Sequence, residues 1–245
     1  MERMEAMAMM GDKRRKQMEE MLKNPDMPMD QMPDCEMKLE KIRADCTANS
    51  KKYTDVDFDH EKEEEILGAP IFAAKTARAI TGWKRASEVP GAVLFRDGAS
   101  HEDITQGTLG DCYLLSALSV LGNDRTVELF ACQADGIPSS EKTDDPHHWK
   151  KTGCFMLKFS KDGNFQYIIV DDWIPMCNET PAFTKGGEDG LEMWPAILEK
   201  AYAKLYGSYT AIEAGKVHLA LADMVENGFP EQLALKSFKN NLKMF

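Results

Sequence analysis

Two residues in this sequence have the types and spacing to do covalent chemistry. Cys112 opens the apolar run CYLLSALSVL directly after a glycine-bounded turn, GTLGD. A helix N-terminus favours the anionic thiolate, the nucleophilic form of cysteine. Gln106 lies six residues earlier. Its amide, with the Cys112 backbone N–H, is placed to form an oxyanion hole for acyl transfer. Gly107 and Gly110 allow a tight entry into the helix. On these residues alone the bland reading stays open, because a cysteine that opens an apolar helix is more often a buried structural residue.

A thiol nucleophile needs a histidine to take its proton and an Asn or Asp to orient that histidine. The five histidines are poor candidates. His147 and His148 sit in a polar loop, TDDPHHWKK, and His60 in an acidic stretch. His101 precedes the glutamine, and His218 lies far toward the C-terminus.

The elements that must position Cys112 read as follows. Cys112–Leu121 predicts a buried helix. Phe155–Phe159 and Phe165–Val170 are strand-like, and Asp162-Gly163 between them signals a hairpin. Trp194–Tyr206 carries Ile197, Leu198, Tyr202 and Leu205 at helical spacing, with Pro195 for its first turn and Gly207 for its C-cap. Helices plus a small antiparallel sheet make an α+β class.

The N-terminal part differs in kind. Eleven of the 16 methionines fall in the first 37 residues. Residues 1–23 predict a helix, the proline-rich stretch 24–33 breaks it, and a second helix follows from Cys35 to Cys46 with Met37, Leu39 and Ile42 near one face. The methionine stripe reads either as a packed tail or as an adaptable surface for protein partners. The organisation predicted is a Met-rich arm over 1–50, an acidic connector over 51–70 with Glu61 to Glu65 as a solvated face, a globular subdomain over 71–235, and a tail over 236–245.

Composition narrows the function classes. A net charge of -11 argues against nucleic acid as a partner, since phosphate contacts need clustered Lys and Arg. No run of about 18 apolar residues predicts a membrane span. The six cysteines include no CxxC pair, which argues against zinc. No secretory leader is visible, and Glu2 stands where N-myristoylation would need a glycine. An intracellular, cytoplasmic protein with reduced thiols is expected.

QGTLGDCYLL resembles the QGxLGDCWLL signature of the calpain family of cysteine proteases, with Tyr113 where the family usually has Trp. Other strings are similar in the same order. GWKRASEV at 82–89 resembles WKRPxE, and KYTDVDFDHEKEEEILG at 52–68 resembles the family's entry segment. YIIVDDWIP at 167–175 resembles VVVDDRLP, and EMWPAILEKAYAKLYGSY at 192–209 resembles EFWSALLEKAYAKxxGxY. ALADMVENGFPEQL at 220–233 resembles the stretch before the second protease lobe.

The resemblance implies a papain-like cysteine protease fold, of which this would be the helical nucleophile lobe. It implies Cys112 as nucleophile and Gln106 as the oxyanion-hole amide. It also implies a calcium ion held by the backbone carbonyls of Arg96 and Gly98 and the carboxylates of Asp103 and Glu192, an oxygen set that suits calcium. The histidine and asparagine would come about 130–150 residues after the cysteine. Only 133 residues follow Cys112, and the family's GHAY and NPWG segments are absent. The expectation is therefore a calcium-linked peptidase half that does not cleave alone. The alternatives are a noncatalytic scaffold in a cytoskeletal, ciliary or axonemal assembly, or a partner chain that supplies the second lobe. Whether Phe245 is a natural terminus stays open.

Overall fold

Apolar runs in CFMLKFSK and NFQYIIVD build a hairpin that is buried on both faces, so both sides of the domain use it. A computed structural model describes residues 32–68, 80–96, 98–100, 104–131, 149–161 and 164–225. In chain order its elements are α1 (Met32–Asn49), α2 (Glu63–Leu67), β1 (Gly82–Arg85), β2 (Ile104–Thr105), α3 (Cys112–Leu121), α4 (Asn123–Glu128), β3 (Phe130–Ala131) and α5 (Trp149–Thr152). The hairpin β4 (Cys154–Lys161) and β5 (Asn164–Asp171) follows, then β6 (Trp173–Cys177), β7 (Thr180–Pro181), β8 (Lys185–Gly186), α6 (Trp194–Tyr206) and α7 (Val217–Met224).

The described strands form small antiparallel sheets, ordered β1-β6-β7, β2-β8 and β3-β4-β5. Helices with small antiparallel sheets make the chain α+β, as the sequence predicts. Lys161 pairs with Asn164, the register a two-residue hairpin loop requires.

The hairpin divides two cores. Phe155, Leu157, Phe159 and Val170 face the main core, where Ile197, Leu198, Ala201 and Tyr202 of α6 pack. Cys154, Met156, Tyr167 and Ile169 face a smaller cluster covered by Leu39, Cys35 and Ile42 of α1. The buried face of α1 is thus set by Leu39, Arg43 and Cys46, and Met37 points outward, contrary to the expected grouping. Helix α1 also runs longer than predicted. Pro33 stands in its first turn, where the amide N–H that proline lacks has no intrahelical acceptor, so it starts the helix instead of stopping it. The predicted helix over 1–23 lies outside the described residues, as do the tail 236–245 and the segment 69–79.

The stretch read as an acidic connector is anchored in the main core by Phe58, Ile66 and Leu67, while Glu61, Glu64 and Glu65 are exposed. Asp55 in this stretch is fully buried and binds Lys204 of α6 at 2.6 and 2.8 Å.

Two consecutive aspartates lock the corner between β5 and β6. Asp171 forms a buried ion pair with Lys200 of α6 and accepts the Asp55 N–H at 2.7 Å. Asp172 faces the other way, onto Arg85 of β1 at 2.5 Å, and also accepts the N–H and hydroxyl of Ser87. The string VDDW therefore ties a helix to one side of the sheet and a neighbouring strand to the other.

Candidate active site

Cys112 is the first residue of α3, and its side chain is exposed. The helix is only partly buried. Leu114, Ala117 and Leu118 face the core, while Ser116, Ser119 and Val120 face outward with Cys112. The unbroken apolar run in the sequence overstates its burial, because the two serines fall on the outer face. Ser116 donates its hydroxyl to the Cys112 carbonyl at 2.8 Å.

The loop before the helix is pinned from three sides. Leu109 is buried. The Thr108 N–H donates to the Ala182 carbonyl at 3.3 Å. A Cβ at Gly107 would lie 2.0 Å from the Phe183 carbonyl oxygen, so only glycine permits this approach. Gly110 has open space around it, and neither glycine adopts a positive φ. Gly107 is needed for close packing, not for a left-handed turn. On the far side, the Ala214 N–H donates to the Gly110 carbonyl at 3.0 Å, and Gly215 lies against the Tyr113 ring. Tyr113 thus packs under the segment leading into α7. Burial and the nearby Asp111 carboxyl push its phenol far above its ordinary range.

Gln106 sits in this loop and donates its amide to the Leu109 carbonyl at 2.8 Å. The structure brings Gln106 and Cys112 to the two ends of one pinned loop.

Asp111, directly before Cys112, is fully buried, yet its side chain makes no capping bond to the helix. It turns inward to Glu199 of α6, which is 2 % exposed, and to the Thr184 hydroxyl at 3.5 Å. The Thr184 N–H donates to both Glu199 oxygens at 3.2 and 3.3 Å, and its hydroxyl donates to Oε1. Burial raises both carboxyls, that of Glu199 well above its ordinary range, with the Asp111 charge adding to the effect. This group was missed in the sequence. No local pattern marked it; the structure places Glu199 in a helix whose residues 194–203 are all buried.

Among the described residues no hydrogen bond joins Cys112 to a histidine. His60 stacks on Trp173 with ring centroids 3.9 Å apart and its Nδ1 3.2 Å from Asp59. His218 is in the first turn of α7. His101, His147 and His148 lie outside the described residues.

Of the residues expected at calcium, the structure joins Arg96 and Glu192, and one is outside the described set. The Arg96 N–H donates to Glu192 Oε1 at 2.8 Å, and Glu192 is buried. Gly98, two residues on, has φ +99°, which favours glycine. Asp103 lies outside the described residues. The Arg96 guanidinium is turned onto Asp189 at 2.9 Å, which holds that carboxyl below its ordinary range. Among the described residues no three His, Cys, Asp or Glu side chains gather as a metal cluster.

An exposed thiol thus stands at a helix start, behind a pinned loop that holds a glutamine. The model of the calpain family of cysteine proteases matches residues 53–244. Similar proteins include the calpain-type cysteine protease DEK1 of Zea mays, 32% identical over 76% of this chain and 8% of that protein. Calpain-5 of Caenorhabditis elegans is 31% identical over 81% of this chain and 29% of its own length. Calpain-B of Drosophila melanogaster is 30% identical over 83% and 20%. The chain belongs to the calpain family of cysteine proteases. It spans less than a third of the length of these relatives. No helix among the described residues is long and apolar enough to cross a membrane.

Proposed function

We propose that this domain is the nucleophile half of a papain-like, calpain-type peptidase that works in the cytoplasm. The exposed Cys112 thiol at the start of α3, behind the pinned Gln106 loop, carries this reading. The Cys112 thiolate attacks the carbonyl carbon of a peptide bond, and the carbonyl oxygen gathers the negative charge. The Cys112 N–H and one N–H of Gln106 receive that oxygen, which requires Gln106 to turn from the Leu109 carbonyl toward the substrate. A histidine and an asparagine on a second lobe complete the site, so the 245-residue chain alone does not cleave. Casein incubated with the purified chain and calcium is expected to stay intact. Cleavage that disappears in Cys112→Ala would overturn the need for a second lobe.

Calcium belongs to the same reading. It would be held by the carbonyls of Arg96 and Gly98 and the carboxylates of Glu192 and Asp103, and it would draw the loop around Gly98 onto α6. Titration calorimetry is expected to show binding that is lost in Glu192→Gln and in Asp103→Ala. Absence of heat at millimolar calcium would remove the ion from the account.

A second reading, a noncatalytic scaffold in a cytoskeletal or axonemal assembly, is favoured by one observation. Helix α1, the described part of the methionine-rich stretch, packs on one face of the hairpin, and methionine suits an adaptable surface for a protein partner.

A further inference from the structure

We propose that Asp111 and Glu199 are positioning residues for Cys112: the two carboxyls share one proton, and this bridge, closed by Thr184, fixes where α3 begins and how the thiol is presented. The inference rests on the reading of Cys112 as a nucleophile. Both carboxyls are buried, and they are in hydrogen-bond contact with each other. Among the described residues no Lys, Arg or His forms an ion pair with either. Lys200, next to Glu199 on α6, is engaged by Asp171. Two charged carboxylates in contact without a cation repel, so one of them keeps a proton.

The Thr184 N–H and hydroxyl both donate to Glu199, and Asp111 reaches the same hydroxyl at 3.5 Å, so the proton belongs to the pair. The groups that face the pair are Gln106 from the loop, Tyr113 from α3, Thr184 ahead of β8, and Tyr209 after α6. The Tyr209 hydroxyl is buried without a partner, and burial, with the Asp171 charge adding to it, raises its phenol well above its ordinary range. The Asp111 backbone carbonyl accepts the N–H groups of Leu114 at 2.8 Å and Leu115 at 3.3 Å. The first turn of α3 therefore hangs on the residue whose side chain the bridge holds.

The test is the rate at which iodoacetamide alkylates Cys112 in the full chain, read by peptide mass spectrometry across the neutral and alkaline range. Glu199→Ala is expected to slow alkylation about tenfold, as a displaced reactive group does, while Glu199→Gln, which can still donate to Asp111, stays within about twofold. The wild-type rate should fall below its thiolate-limited rise once the shared proton leaves. The glutamine variant, with no such proton, should not. Superimposable pH profiles for wild type and Glu199→Gln would overturn the proposal, and they decide it even if Glu199→Ala does not fold. A wild-type Cys112 that reacts no faster than free cysteine would instead count against the nucleophile reading.

Discussion

The domain buries two sets of acidic side chains in different ways. At the β5–β6 corner, Asp171, Asp172 and Asp55 each meet a cation, respectively Lys200, Arg85 and Lys204. Beside Cys112, Asp111 and Glu199 meet each other and a threonine. The first arrangement balances charge and locks three elements together. The second leaves an acid facing an acid, a local conflict that a purely structural corner would avoid. The contrast separates clamp from site. The aspartates that resemble a family string at 167–175 hold the scaffold, and the strained pair lies next to the exposed Cys112 thiol.

The comparison breaks most visibly at Lys200. Lys200→Met strands the fully buried Asp171 and is expected to cost about 3–5 kcal/mol in urea unfolding. A loss under about 1 kcal/mol would mean that the clamp is not one. Gly107→Ala tests the other corner, where its Cβ would strike the backbone just before Thr184. A loss of about 1–3 kcal/mol is expected, with Cys112 alkylation slowed as the loop shifts.

The smallest effect is a pH dependence. Burial raises the Asp111 and Glu199 carboxyls, so the folded chain holds a proton that the unfolded chain has released. That contribution to stability is present below the unfolded carboxyl range, near pH ~4, and is lost as pH rises toward the folded value. Glu199→Gln carries no such proton. Its stability relative to wild type should rise with pH through that window, by at most about 1.4 kcal/mol per unit. Parallel curves from paired urea titrations would place the proton elsewhere.

Helix α6 was legible in the sequence to the residue, because Pro195 and Gly207 mark its ends locally. The bounds of α3 were legible for the same kind of reason, and the hairpin followed from Asp162-Gly163 between two strand-like runs. Cys112 and Gln106 were visible because they are close in sequence and meet through one loop. The outward turn of Met37 was not legible, since the hairpin on which α1 docks selects its buried face. Nor was the anchoring of 51–68, where a run of acids hides three apolar residues. The pairing of Asp111 with Glu199 joins residues far apart in the chain, and no local pattern encodes such contacts.

Helix α1 precedes the segment that the family model matches, which begins at residue 53. Yet it is the lid on one whole face of β4 and β5. A fragment cut at the family boundary would bare Met156, Tyr167 and Ile169 side by side on a sheet, the kind of surface on which chains adhere to one another. Solubility of this domain is therefore a property of residues outside its catalytic homology.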